Sequence, residues 1–246
     1  MRLPRRWCGK QPLARPLRAV ASSVEASWPH PHHRHDLLDV ELGPWATALA
    51  ARPELAGSPL VADWARRGWP VILRRRNPGE ATHLVPVGLP LPPTDGKRRI
   101  GFALPAEALR LRPPVTLAQA DDAAPEAWRP TLVRLNALGH RHGLVPRVFG
   151  SLLWQYLTGM TYLSDSSDLD LLWSVTGPID RHLLDAIALL DMEAPMRLDG
   201  EMILPDGHGV NWRELHAAAP SDTVLAKHRN GLTFCEVRTL VAGDAA

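Results

Sequence analysis

The chain is expected to fold as an α+β protein, with a small strand-rich N-terminal unit followed by a larger unit in which a mixed sheet carries helices. Three observations predict this. Between about residues 35 and 112, short apolar runs alternate with proline- and glycine-rich turns, as strands do. Further on, apolar residues three and four apart mark helices, at Trp128, Leu132, Leu135 and Leu138 and again at Leu183, Leu184, Ile187 and Leu190. Between those helices lies a strand–helix–strand pattern, residues 145–173, around which the rest is organised. The expected division is 1–33 as a disordered extension, 34–112 as a small α+β domain and 113–246 as the second domain.

In chain order, the first thirty residues are basic, contain prolines and lack the sustained apolar run of a secretory signal. They read as an extension, or as translation from an upstream start codon. His30, His32, His33 and His35 have only Asp36 interleaved at ligand spacing, so a solvated tail is expected there rather than a metal site. Structure begins at His35-Asp-Leu-Leu-Asp-Val. A short helix is expected from Trp45 and another from Pro59 to Arg67, with Pro59 suited to a first turn. Strands are expected from Val71 to Arg76, from Thr82 to Leu89 and after Lys97, separated by Asn77-Pro-Gly and by the turn Pro90–Gly96. Arg74, Arg75, Arg76, Lys97, Arg98 and Arg99 cluster near these strand ends. Two readings stand for them: contact with a polyphosphate or an acidic partner, or solvated charges that block edge-to-edge pairing.

Residues 112–125 read as a linker with a short helix, and Glu126 to His142 as a helix closed near Gly139. A strand from Val145 to Phe149 runs into Gly150-Ser151 and a helix through Leu152, Leu153, Tyr156 and Leu157. A turn-rich stretch, 158–167, precedes the strand Asp168–Trp173. Ile179–Met192 is an amphipathic helix with Asp180 near its start. Met196–Gly207 reads as strand and turn, Asn211–Leu215 as a strand or short helix, and Thr223–His228 with Gly231–Cys235 as a closing hairpin.

Composition narrows the function classes. The formal charge is +2, and the only lysines are Lys10, Lys97 and Lys227, so the basic side is almost all arginine. Arginine suits planar recognition of phosphate or carboxylate, although codon bias in a GC-rich genome produces the same excess. There is no long basic stripe of the kind that binds nucleic acid, and no apolar run long enough to span a membrane. Two distant cysteines, Cys8 and Cys235, indicate no disulfide framework, so the cytoplasm is the expected compartment.

The chemistry concentrates at Gly150-Ser151 and Asp168-Leu-Asp170. Residues two apart on a strand share a face, so both carboxylates point the same way while Leu169 and Leu171 enter the core. Like charges side by side repel, and a divalent cation resolves the conflict; Mg²⁺ takes one or two carboxylates together with substrate phosphates. A glycine at the helix start permits close approach, and the free N–H groups there attract phosphate. A third carboxylate from a neighbouring strand would complete the set. Asp199 and Glu201 share one face by period two and are both candidates, with Glu201 slightly favoured; Glu214 is more remote. Lys227 is placed either to neutralise a triphosphate or as a solvated lysine.

A phosphate cradle followed by an Asp-x-Asp strand resembles the nucleotidyltransferase superfamily that includes DNA polymerase β. The segments Gly150-Ser-Leu-Leu-Trp-Gln-Tyr-Leu-Thr-Gly, Ser167-Asp-Leu-Asp-Leu-Leu-Trp, Leu198-Asp-Gly-Glu and Val210-Asn-Trp-Arg-Glu-Leu resemble, more closely, the malonate decarboxylase holo-acyl-carrier-protein synthases. These are the phosphoribosyl-dephospho-CoA transferases. His35-Asp-Leu-Leu and Val85-Pro-Val-Gly-Leu look like the opening domain of the same family. The resemblance implies a polymerase-β-like second domain and a reaction in which a serine of the apo acyl carrier subunit of malonate decarboxylase receives the phosphoribosyl-dephospho-CoA group. The donor is 2′-(5″-triphosphoribosyl)-3′-dephospho-CoA, and pyrophosphate is released. Asp168, Asp170 and Asp199 or Glu201 would then hold Mg²⁺ or act catalytically, and Gly150, Ser151 and Lys227 would bind phosphate. The spacing from Ser151 to Asp168 is longer than in many polymerase-β-type enzymes, so the loop 158–167 is expected to bulge outward. Another nucleotidyltransferase, or a silent binding module on this fold, are the alternatives.

Overall fold

The computed structural model describes residues 33–242. The first sheet contains β1 (Leu37–Val40), β2 (Val71–Leu73), β3 (Leu84–Pro90), β4 (Arg99–Pro105) and β5 (Leu109–Arg112). Their order is β4-β3-β2-β1-β5, and every pair is antiparallel. Two short helices, α1 (Leu42–Ala50) and α2 (Pro59–Asp63), cover it. Trp45, Trp64, Val71, Val87 and Phe102 are buried beneath them. Both helices are too short to stand alone, and burial of their tryptophans supplies what propensity does not.

The second sheet has the order β11-β10-β9-β8-β7-β6. It comprises β6 (Arg147–Val148), β7 (Leu169–Ser174), β8 (Leu198–Ile203), β9 (Gly209–Asn211), β10 (Thr223–His228) and β11 (Gly231–Glu236). Among the described strands of this sheet, β7 and β8 alone pair in parallel. A parallel pair needs a crossover, and α5 (Arg181–Glu193) is that crossover. Its start is capped by the Asp180 carboxylate, which accepts from the His182 amide at 2.9 Å. Helices α3 (Arg129–Arg141), α4 (Gly150–Thr158), α6 (Trp212–Ala217) and α7 (Val237–Leu240) complete the unit. Leu132, Leu135, Leu171, Trp173, Leu184, Ile187 and Trp212 share its core. The α+β class and strand-rich first unit are as expected from the sequence.

Several element bounds differ from expectation. Strand β2 stops at Leu73; beyond it the Arg74 amide still donates to the Pro86 carbonyl at 3.1 Å, while the Arg74 side chain grips Glu80 and the carbonyls of Val87 and Phe102 and Arg76 reaches those of Ala81 and Leu84. Helix α2 ends at Asp63, and α3 starts at Arg129 after one tight turn. Residues 113–125 hold no α-helix, only a turn over 117–120 and a tight turn at Asp121–Ala123. Strand β6 is reduced to two residues. Asn211 settles the strand-or-helix alternative by serving both, ending β9 and capping α6 with its side-chain oxygen. His33 and His35 are not solvated: His33 rests on the Cα of Gly207, and the His35 ring is tilted against Phe149 with centroids 4.5 Å apart. Cys8, His30 and His32, like the expected extension, lie outside the described residues apart from His33.

The two sheets are joined by side chains that cross between cores. Trp154 of α4 is 3% exposed and packs with the first unit, its ring 5.7 Å from Trp64. Tyr162 is buried beside it and donates its hydroxyl to the Pro90 carbonyl at 3.1 Å. The Arg76 amide donates to the Arg229 carbonyl at 3.0 Å. Among the described residues no helix is long and apolar enough to cross a membrane.

Candidate active site

Strand β7 begins at Leu169, so Asp168 stands just ahead of it and Asp170 one residue inside, with Leu169 and Leu171 buried on the opposite face. The Phe149 amide donates to the Asp170 carbonyl at 3.1 Å, which ties the start of α4 to this strand. Gly150 has φ +66°, and a Cβ there would lie 1.9 Å from Oδ2 of Asp170. Glycine is required here because the carboxylate rests on the helix start itself, in a conformation L-residues rarely adopt. Ser151, in the first turn, lines the same cleft.

The register of β7 with β8 supplies what the period of two left open. Asp199 is the Cα partner of Asp170, whereas Glu201 is the partner of Leu172. Asp199 is held through Oδ1, which accepts from the Gly200 amide at 2.7 Å and from Nδ2 of Asn211 at 2.9 Å. Three aspartates therefore gather at one edge. Burial first, then the charges of Asp199 and Asp168, push the Asp170 carboxyl up to about 7, against the opposing pull of Arg99 and Arg197. Arg197 lies 3.6 Å from Asp168.

Glu201 has a different environment. It is 5% exposed, and Gly209 leaves room for its carboxylate, since a Cβ there would sit 2.3 Å from Oε2. It is ion-paired with Arg34, lies 3.6 Å from Nε2 of His35 and 3.5 Å from Nζ of Lys227. Burial raises its pKa, but the His35 and Arg34 contacts outweigh that and hold it down at about 2. Burial in turn lowers the pKa of His35, against the pull of Glu201. Glu214 is exposed in the first turn of α6 and makes no described contact with the aspartates.

Asp170, Gly150 and Ser151, with the Glu201 partners Arg34, His35 and Lys227, open onto a cleft of about 820 Å³ between the two sheets. Its basic lining is Arg34, Arg74, Arg75, Lys97, Arg99 and Lys227, against Glu80 and Asp170. Arg74 is already committed to Glu80. Leu89, Leu91, Phe149, Trp154 and Tyr162 form apolar wall. Of the strand-end basic residues, Arg74, Arg75, Lys97 and Arg99 thus face the cleft. Arg34, His35 and Asn211 belong to the site although the sequence assigned none of them a role there: His35 reads as part of a solvated histidine tail, and Asn211 only as part of a family-like segment. A further signal was the polar Asn at the start of the Trp212 helix, a capping position.

Among the described residues, no three His, Cys, Asp or Glu side chains stand together as a ready-made metal cage. The aspartates form an open set. Asp168 and Asp199 bring two further carboxylates up to buried Asp170, and hard oxygen donors so gathered fit a cation completed by waters and phosphates.

Comparison with known proteins adds the family. The model described as the Phosphoribosyl-dephospho-CoA transferase MdcG C-terminal domain matches residues 116–238, and the corresponding N-terminal domain model matches residues 33–114. The chain belongs to the phosphoribosyl-dephospho-CoA transferase family. The phosphoribosyl-dephospho-CoA transferase of Bradyrhizobium diazoefficiens is 47% identical over 193 residues, 77% of this chain and 84% of the relative. That of Xanthomonas euvesicatoria is 39% identical over 171 residues, 69% and 79% of the two chains. That of Azotobacter vinelandii is 32% identical over 208 residues, 80% and 85%. No solved structure matches the chain. In this member of the phosphoribosyl-dephospho-CoA transferases, both matched regions contribute to the cleft: Arg34, Lys97 and Arg99 from one, Gly150, Asp170 and Lys227 from the other.

Proposed function

We propose that the protein is a cytoplasmic nucleotidyltransferase that moves the phosphoribosyl-dephospho-CoA group from 2′-(5″-triphosphoribosyl)-3′-dephospho-CoA to a serine of the apo acyl carrier subunit of malonate decarboxylase. The observation that carries this reading is Asp170, with Asp168 and Asp199 close beside it, facing a basic cleft at the Gly150 helix start. In the reaction the serine oxygen bonds to the α-phosphorus of the triphosphate. The α–β phosphorus–oxygen bond breaks, pyrophosphate leaves, and the serine proton passes to a carboxylate.

The chain's own residues have distinct parts in this reading. Asp168, Asp170 and Asp199 would hold Mg²⁺, which when bound supplies charge neutralisation and orientation for in-line phosphoryl chemistry. Asp199 is anchored through one oxygen by Asn211 and Gly200, leaving the other for the cation or the serine proton. Gly150 and Ser151 offer N–H groups to a phosphate at the start of α4. Arg75, Lys97 and Arg99 line the cleft where they would face the donor's remaining phosphates, and Lys227 would meet the triphosphate. Glu201, saturated by cationic partners, is poorly placed to take a proton, so that role falls to the aspartates.

The test mixes protein, Mg²⁺, apo carrier and donor, and weighs the carrier by intact-protein mass spectrometry. A gain equal to the phosphoribosyl-dephospho-CoA group, lost in Asp168→Ala, is the expected result. An AMP-sized gain from ATP instead would replace the donor and keep nucleotidyl transfer. No gain from either donor would point to a binding module.

A further inference from the structure

Glu201 draws together groups from distant parts of the chain. Arg34 and His35 arrive from just ahead of β1, and Lys227 from β10. One buried carboxylate facing two permanent cations leaves the cluster with at least one net positive charge, turned toward the cleft that all three basic groups line. The backbone is strained at two points on the lining of this cleft. Among the described residues, His35 (φ +77°) and Lys97 (φ +51°) are the non-glycine residues with positive φ, and both line this cleft. Such conformations persist where surrounding contacts impose them, and they concentrate at ligand clamps. The strand pairing supplies the constraint here: the His35 amide donates to the Leu73 carbonyl at 3.0 Å, and the Leu73 amide donates to the Asp36 carbonyl at 2.8 Å.

Polar atoms are also left over. Nε of Arg34 is buried without a hydrogen-bond partner, and Nε2 of His35, equally buried, has only the loose contact to the Glu201 carboxylate at 3.6 Å. Buried polar groups are ordinarily satisfied, so orphans at a cleft wall call for a ligand. Glu201 is two residues along β8 from Asp199, a spacing of about 7 Å, which puts the cluster next to the aspartates.

We propose that Arg34, His35 and Lys227, gathered by buried Glu201, form a receptor for the terminal phosphates of the donor, the pair that departs as pyrophosphate. Glu201 is then a positioning residue that acts through its basic partners. The receptor is complete only when the first domain is docked on the second sheet. The inference rests on the reading that the donor's triphosphate lies in this cleft.

The test titrates inorganic pyrophosphate, with Mg²⁺ present, into the full-length wild type and the Arg34→Gln, Lys227→Gln and Glu201→Gln variants by calorimetry. Dephospho-CoA, which lacks the triphosphate, is the control ligand. Pyrophosphate affinity is expected to fall about tenfold or more in Arg34→Gln and Lys227→Gln, as for loss of a charged hydrogen bond, and to fall in Glu201→Gln because Arg34, His35 and Lys227 are no longer held together. Dephospho-CoA binding stays unchanged, and donor KM rises more than kcat falls. Lys227 is only partly buried, so Lys227→Gln remains informative if Glu201→Gln fails to fold. Pyrophosphate affinities within twofold of wild type in Arg34→Gln and Lys227→Gln, or no pyrophosphate binding by the wild type, would overturn the receptor. Carrier labelling by the wild type is measured alongside. Labelling with indifferent variants removes the receptor and keeps the donor assignment; no labelling with variant-sensitive pyrophosphate binding does the reverse.

Discussion

Asp170→Asn separates catalytic need from folding cost. In the metal-free protein the Asp170 carboxyl is pushed from its ordinary value of 3.8 to about 7, by burial and by the neighbouring aspartates. Between those two values the folded chain keeps a proton that the unfolded chain has released. Stability therefore falls as pH rises through this window, and the whole penalty is in place above pH 7. Roughly three pH units at about 1.4 kcal/mol each set an upper bound of about 4 kcal/mol. Water entering the open cleft and relaxation of the neighbouring charges reduce this to about 2 kcal/mol. Asparagine carries no charge and escapes the penalty. In chelator at pH 8, the variant is expected to melt about 5 °C above wild type, at about 2–4 °C per kcal/mol for a protein of this size. The difference should shrink by more than half at pH 5 and vanish toward pH 4. Adding Mg²⁺ at pH 8 should raise the wild-type Tm and leave the variant nearly unmoved, while transfer activity in the variant drops at least about 100-fold. A variant no more stable than wild type at pH 8, or a difference that is constant with pH, would refute the electrostatic reasoning.

Further outcomes follow from the same structure. Gly150→Ala brings a Cβ to 1.9 Å from Asp170 at φ +66°; a loss of about 2 kcal/mol or more by chemical denaturation, with activity abolished, is expected. Trp154→Ala empties the side chain that joins the two cores and should cost about 3–5 kcal/mol, read as a fall in denaturation midpoint. Asn211→Ala removes both the α6 cap and the donor to Asp199. A stability loss of about 1 kcal/mol together with weaker Mg²⁺ binding in a metal titration would show both roles, and unchanged Mg²⁺ binding would remove the second.

Local pattern carried much of this protein. Two-residue alternation suffices to put Asp168 and Asp170 opposite Leu169 and Leu171, because side-chain direction along a strand is a property of the strand alone. Apolar spacing marked α3 and α5, and Asp180 marked where α5 begins, because helix faces and caps are written within a few residues. Gly150 was legible as a place of close approach, but not what approaches it. Its neighbour is the carboxylate of Asp170, brought in by the next strand rather than by a ligand.

The rest depended on register and on contacts between distant segments. Asp199 and Glu201 share one strand face and are equivalent by period. Only the parallel pairing of β7 with β8 places Asp199 against Asp170 and leaves Glu201 to Arg34, His35 and Lys227. The Arg34–Glu201 pair spans 167 residues of chain, so the local composition around His33–His35, histidine-rich and next to a basic stretch, looked like a solvated tail. Composition and spacing report what a segment prefers by itself. Which segments meet is set by the burial of Trp154 and Tyr162 between two cores and by sheet order, and that meeting is what turns scattered basic residues into one cleft.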